Sequence, residues 1–130
     1  MEKLVSLVRR ERDKGEKELK FDERGLIPAI AQDVDAGEVL MLGYMNEEAL
    51  RRTLSSGEVW FYSRSRQELW HKGETSGNCI KVHSVWQDCD SDTILIKGQP
   101  AGPICHTGNK TCFFQQLSKR DIGTSHQEEA

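Results

Sequence analysis

Long apolar runs, an excess of positive charge and C-x-x-C pairs are all missing from this 130-residue sequence. No apolar stretch approaches the ~20 residues that cross a bilayer, and Met1-Glu2-Lys3 opens without the apolar core of a secretory signal. A cytoplasmic protein with no membrane partner is therefore expected. Lys and Arg number 18 against 21 Asp and Glu, a formal net charge of -3; with a pI near 5.8 this argues against a nucleic-acid scaffold. A phosphate loop of the Walker type is absent. Without C-x-x-C pairs, a non-catalytic zinc-binding interaction module lacks its usual signature.

What is present is a concentration of metal-ligand chemistry. Four cysteines without a secretion signal favour reduced thiols or metal ligands over a disulfide framework. Asp88-Cys89-Asp90-Ser91-Asp92 interleaves carboxylates with a thiol, and Cys105 and Cys112 follow in a Gly-containing stretch. If the approach from Ile80 to Trp86 is extended, alternation puts Asp88, Asp90 and Asp92 on one face and Cys89 and Ser91 on the other. A straight strand would hold Asp88 and Asp92 roughly 13 Å apart, too far for one ion, so shared ligation requires a bend, which a turn at Asp90-Ser91-Asp92 would supply. The plain alternative for D-x-D-x-D is a solvated turn. The central Gly and downstream Glu of an EF-hand loop are missing, which argues against calcium sensing. Carboxylates suit magnesium, manganese or calcium and thiolates suit zinc, so two adjacent sites are expected.

Cys79 lies ten residues before Cys89, roughly 33 Å along a continuous strand, so both cannot ligate one ion unless the chain folds back. Cys79 is read as core. Cys89, Cys105 and Cys112 then leave an open fourth position, the arrangement of a catalytic zinc. Buried thiols acting as small hydrophobes are the alternative. His106, beside Cys105, and His71, within Trp70 to Gly77, are candidate general bases. His83 and His126 read as ordinary polar residues. Ser63-Arg64-Ser65-Arg66 and Lys72 combine cations and hydroxyls of the kind that hold phosphate, although a charged surface has the same composition.

The length fits a single domain over 1–130 with a core of about 26–115. Residues 1–20 read as a charged helix and 117–130 as a loose polar tail. Strands are expected over Leu26 to Val34 and Glu38 to Tyr44, joined by a tight turn at Asp35-Ala36-Gly37. A helix follows, capped by Asn46 and ended by Gly57. Further strands are expected over Val59 to Ser63, Glu68 to His71, Ile80 to Gln87 and Thr93 to Lys97. The fold class is a β-rich α+β protein, a small mixed sheet or pseudobarrel with a few short helices.

Together, Leu40 to Asn46, Phe61 to Arg66, Trp70 to Asn78, Gln87 to Asp92 and Gly102 to Phe114 closely resemble the phosphoribosyl-AMP cyclohydrolases of histidine biosynthesis. The resemblance implies hydrolytic opening of the adenine ring of N1-(phosphoribosyl)-AMP, a small-molecule substrate. It implies magnesium on Asp88, Asp90 and Asp92, and zinc on Cys89, Cys105 and Cys112. It also implies an intertwined homodimer in which Cys89 comes from the partner chain. Glu74 and Ser76, inside the matching Trp70 to Asn78 stretch, join Arg64, Arg66 and Lys72 as substrate-binding candidates. Some relatives carry a fused phosphoribosyl-ATP pyrophosphatase domain; with only a short polar stretch after Phe114, the one step is expected here. The nearest rival is a zinc deaminase, whose H-x-E and P-C-x-x-C signature is absent.

Overall fold

The computed structural model describes residues 18–122. The expected helix over 1–20 and tail over 117–130 lie largely outside that range; residues 18–20 are not helical, and 119–122 form a helical turn. Six strands and one longer helix make up the body: β1 (Ile27–Asp33), β2 (Val39–Met45), α1 (Glu47–Ser56), β3 (Trp60–Ser63), β4 (Glu68–His71), β5 (Ile80–Gln87) and β6 (Ile94–Pro100). β2, β1, β6 and β5 lie side by side in that order as one sheet, and β3 and β4 form a separate hairpin. β1 runs antiparallel to β2 and parallel to β6, while β6 and β5 are antiparallel. The sheet is thus mixed, as expected of a β-rich α+β chain.

Local chemistry accounts for most boundaries. The strict alternation of burial along β1 places Ile27, Ala29, Ala31 and Asp33 inward. The turn to β2 is built by the buried Asp33, whose Oδ1 accepts from the backbone N–H of Asp35 and Ala36 at 2.9 and 3.0 Å. Gly37 completes it at φ 79°, a conformation that favours glycine. Asn46 caps α1 by accepting from Ala49 N–H at 2.8 Å, and Gly57 ends it in the left-handed region. Thr53 ties this helix to β3: its Oγ1 donates to the Ala49 carbonyl and accepts from Trp60 N–H at 2.9 Å. β6 runs three residues beyond the expected Lys97, because it pairs with β5 as far as Ile80 opposite Pro100.

The core lies between the sheet, α1 and the β3–β4 hairpin. Ile27, Leu40, Met45, Val59, Phe61, Ile80 and Ile96 are buried there. The hairpin comes close to β2: a Cβ at Gly43 would stand 2.6 Å from the Phe61 ring, so this glycine is required by packing. Cys79, expected in the core, is only half-buried. Its backbone abuts Gly73, where an added Cβ would meet Cys79 N at 2.3 Å. Close backbone approach, rather than side-chain burial, occupies this part of the chain.

Candidate metal and active site

β5 ends at Gln87, and the backbone turns back at once through Ser91 N–H to the Asp88 carbonyl, 3.1 Å. Asp88 Oδ1 accepts from the N–H groups of Asp92 and Thr93 at 3.0 and 3.2 Å. Ser91 is buried with φ 64°, and its carbonyl accepts from Lys20 N–H at 2.8 Å. The carboxylates of Asp88, Asp90 and Asp92 therefore converge, with ligand oxygens all within 4.8 Å of one another. Strand alternation, the expected basis for a shared face, is not what gathers them: the turn over Asp88 to Ser91 does so, beginning before the anticipated Asp-Ser-Asp.

Crowding of like charge shows in their ionisation. Asp92 is raised by Asp88 first, then Asp90. Desolvation opposes ionisation of Asp88, but hydrogen bonds from Asp92, Asp90 and Thr93 outweigh it and hold this carboxyl below its ordinary value. Among the described residues, these aspartates are the only group of three or more His, Cys, Asp or Glu side chains close enough to share an ion.

The second cluster is built by the segment after β6. Ile104 N–H donates to the Lys110 carbonyl and Cys105 N–H to the Asn109 carbonyl, and Gly108 at φ 94° closes the loop. Cys105 and Cys112 thereby come within hydrogen-bonding reach of each other. Thr107 Oγ1 donates to Cys105 Sγ at 3.1 Å. That contact is the main cause of a lowered Cys105 pKa, with Cys112 and the Lys72 ammonium adding to it. Cys112 is accessible to solvent, yet desolvation of its sulfur and the neighbouring Cys105 raise its pKa.

Distant residues fix this loop in place. Lys110 Nζ reaches Asp33 Oδ2 at 3.1 Å and Glu38 Oε1 at 3.2 Å. Thr111 Oγ1 donates to the Val39 carbonyl at 2.6 Å, and Cys112 N–H to the Leu40 carbonyl at 2.8 Å. The hairpin of β1 and β2 is thus the bed on which Cys112 lies. Cys89 does not join Cys105 and Cys112 within one chain; it is exposed on the carboxylate turn.

The histidines separate clearly. His71 Nε2 is 2.7 Å from Glu58 Oε1, and its ring stacks on Trp60 at 4.7 Å and 13°. Lys72 Nζ lies 5.8 Å from the Trp70 ring centre, on the face of β4 opposite to the one on which His71 stacks on Trp60. His106 sits exposed on the loop itself, next to Cys105. Arg64 lies over the Tyr44 ring at 4.0 Å, and Arg66 is 3.7 Å from Glu68 on the surface. Glu74 is exposed, with its N–H on the His71 carbonyl at 3.1 Å. Ser76 Oγ accepts from Asn78 N–H at 3.1 Å.

Lys72 departs from the charged-surface alternative weighed beside its phosphate-holding reading. It is buried, and its Nζ donates to the Ile104 carbonyl at 2.8 Å. Burial lowers its pKa, while the thiols of Cys112 and Cys105 act to raise it. Sequence reasoning did not find Glu58, Thr107, Lys110 or Asp33. Only Thr107, two residues from Cys105, had a local signal, since Ser and Thr hydroxyls often bond near neighbours.

A β-rich α+β domain with a carboxylate turn and a separate thiol loop is the class so defined. The model of the family described as phosphoribosyl-AMP cyclohydrolase matches residues 41–114, which hold both clusters. A phosphoribosyl-AMP cyclohydrolase from Listeria innocua is 58% identical over 99 residues, covering 76% of this chain and 93% of that protein. Another from Pelotomaculum thermopropionicum is 54% identical over 101 residues, 78% of each. The histidine biosynthesis bifunctional protein HisIE of Caldanaerobacter subterraneus is 58% identical over 103 residues, 79% of this chain and 50% of the relative. The chain spans about half the length of such bifunctional relatives. It belongs to the phosphoribosyl-AMP cyclohydrolase family.

Proposed function

We propose that this chain acts in histidine biosynthesis, in the cytoplasm, by opening the adenine ring of N1-(phosphoribosyl)-AMP with water at the N1 to C6 bond. The observation that carries this reading is the pairing of Cys105 and Cys112 in a loop that also presents His106, inside the region matched to the family. Alkylation at N1 gives the ring cationic character and makes C6 electrophilic, so addition of water there and departure of N1 break that bond.

The donor chemistry fits two metals. Three carboxylates with oxygens within 4.8 Å of one another offer hard ligands for magnesium on Asp88, Asp90 and Asp92. Cys105 and Cys112 offer soft ligands for zinc, and Cys89 of the partner subunit would supply the third thiolate in a homodimer, since Cys89 does not reach the pair within one chain. A zinc ion held by these thiolates would lower the pKa of a bound water. His106, exposed beside Cys105, takes a proton from water and returns one toward N1. His71 is held by Glu58 and faces Trp60, which suits it to a supporting role on the far side of β4. Arg64 and Arg66, in the turn between β3 and β4, supply cations for the substrate's phosphates, and Glu74 and Ser76, in the loop after β4, supply polar contacts to it.

The test is to mix the purified protein with N1-(phosphoribosyl)-AMP and magnesium and to follow the ultraviolet change of ring opening, with and without a zinc chelator. Chelator-sensitive opening is expected. No opening by folded, zinc-loaded protein would overturn the reading.

A further inference from the structure

Among the described residues Lys72 is the only buried basic side chain, 8% exposed, and no carboxylate pairs with it. Its position is fixed from both ends. The backbone N–H donates to the Val59 carbonyl at 3.1 Å, and Nζ donates to the Ile104 carbonyl at 2.8 Å. An ammonium has three N–H donors, and one neutral carbonyl does not offset its removal from water. The carbonyl it reaches belongs to the residue before Cys105, and the titratable groups that bear on it are Cys112 and Cys105. A buried cation in such a place requires anions nearby, and neutral thiols do not supply them.

Charge counting closes the argument. Three thiolates and a neutral water around a doubly charged zinc ion would carry one net negative charge, and one ammonium beside them would make the assembly neutral. We propose that Lys72 is a positioning residue of the thiol site: its ammonium balances that single negative charge, and its bond to the Ile104 carbonyl holds the Cys105 loop against β4. The proposal rests on the zinc reading above, and it moves Lys72 out of the group that binds substrate phosphates. The two roles predict different failures. A phosphate ligand, once removed, raises KM and leaves zinc in place. A charge-balancing residue, once removed, loosens zinc whether or not substrate is present.

The experiment compares full-length wild type with Lys72→Met, Lys72→Gln and Lys72→Arg. It measures zinc per chain, the rate of zinc release to an excess of chromophoric chelator, and KM against kcat. Gln keeps a donor for the Ile104 carbonyl without the charge, so it separates tethering from charge balance; it also decides the matter if Met does not fold. Folded Lys72→Gln and Lys72→Met protein should release zinc roughly tenfold faster or more, with Arg recovering part of the loss. Zinc content and release in Lys72→Gln equal to wild type would overturn the proposal, and a rise in KM alone would return Lys72 to substrate binding. Folded wild type that holds no zinc would sink the zinc reading itself, and this proposal with it.

Discussion

The carboxylate turn and the thiol loop make opposite use of the chain. Asp88, Asp90 and Asp92 gather within five consecutive residues, through hydrogen bonds from Asp92 and Thr93 N–H to Asp88 Oδ1. The thiol loop depends on remote groups: Lys72 bonds to Ile104 across 32 positions, and Lys110 and Thr111 reach back to Asp33 and Val39. A local turn can be rebuilt from its own residues. A loop held by distant elements is only as well placed as the sheet beneath it.

This difference makes the two regions separable by mutation. The largest effect is expected at Cys105→Ser or Cys112→Ser, which should remove zinc and ring opening together; metal content and turnover on the same sample check it, and an active, zinc-free protein would refute the catalytic role of the thiols. His106→Ala should come next, lowering turnover by roughly 10² to 10⁴-fold with zinc content intact, the range of a lost acid–base group. His71→Ala should fall well short of that, because the ring faces Trp60. If the two variants exchange ranks, the assignment of the proton carrier is reversed. Asp90→Asn should shift the magnesium concentration needed for activity upward while leaving zinc release unchanged. A coupled loss of zinc would show the clusters to be one unit.

The smallest effect tests the bed of the thiol loop. The Asp33 carboxyl is held below its ordinary value by the Ala36 N–H first, then by Lys110 and the Asp35 N–H. Its stabilisation is complete above the unfolded carboxylate pKa and is lost as pH falls through the lower folded value. Asp33→Asn should therefore melt earlier than wild type at neutral pH, with the gap closing below about pH 4. Faster zinc release from this variant at neutral pH would tie hairpin stability to the placement of Cys112.

Much of the fold was legible because its signals are local. Asn46 and Gly57 mark the ends of α1 with cap chemistry that the chain then uses, and the alternation of β1 announces its buried face. The carboxylate triad was legible for the same reason, although the strand geometry invoked for it was replaced by a turn. Cys79 was misplaced because burial there follows from the close approach of Gly73, which no spacing reveals. Lys72 was read with Arg64 and Arg66 as a phosphate-holding cation; its burial on the Ile104 carbonyl was not legible because Ile104 lies 32 positions away in sequence.

The sequence by itself determined the kinds of donor side chain, the turn that brings three aspartates together, and the strands and helix on which everything rests. These follow from residue chemistry acting over a few positions. Only the tertiary structure decided that Cys112 lies on the β1–β2 hairpin, that His71 is held between Glu58 and Trp60, and that a lysine is buried on the carbonyl next to Cys105. Those choices depend on which elements pack together, and packing is settled by the whole core at once.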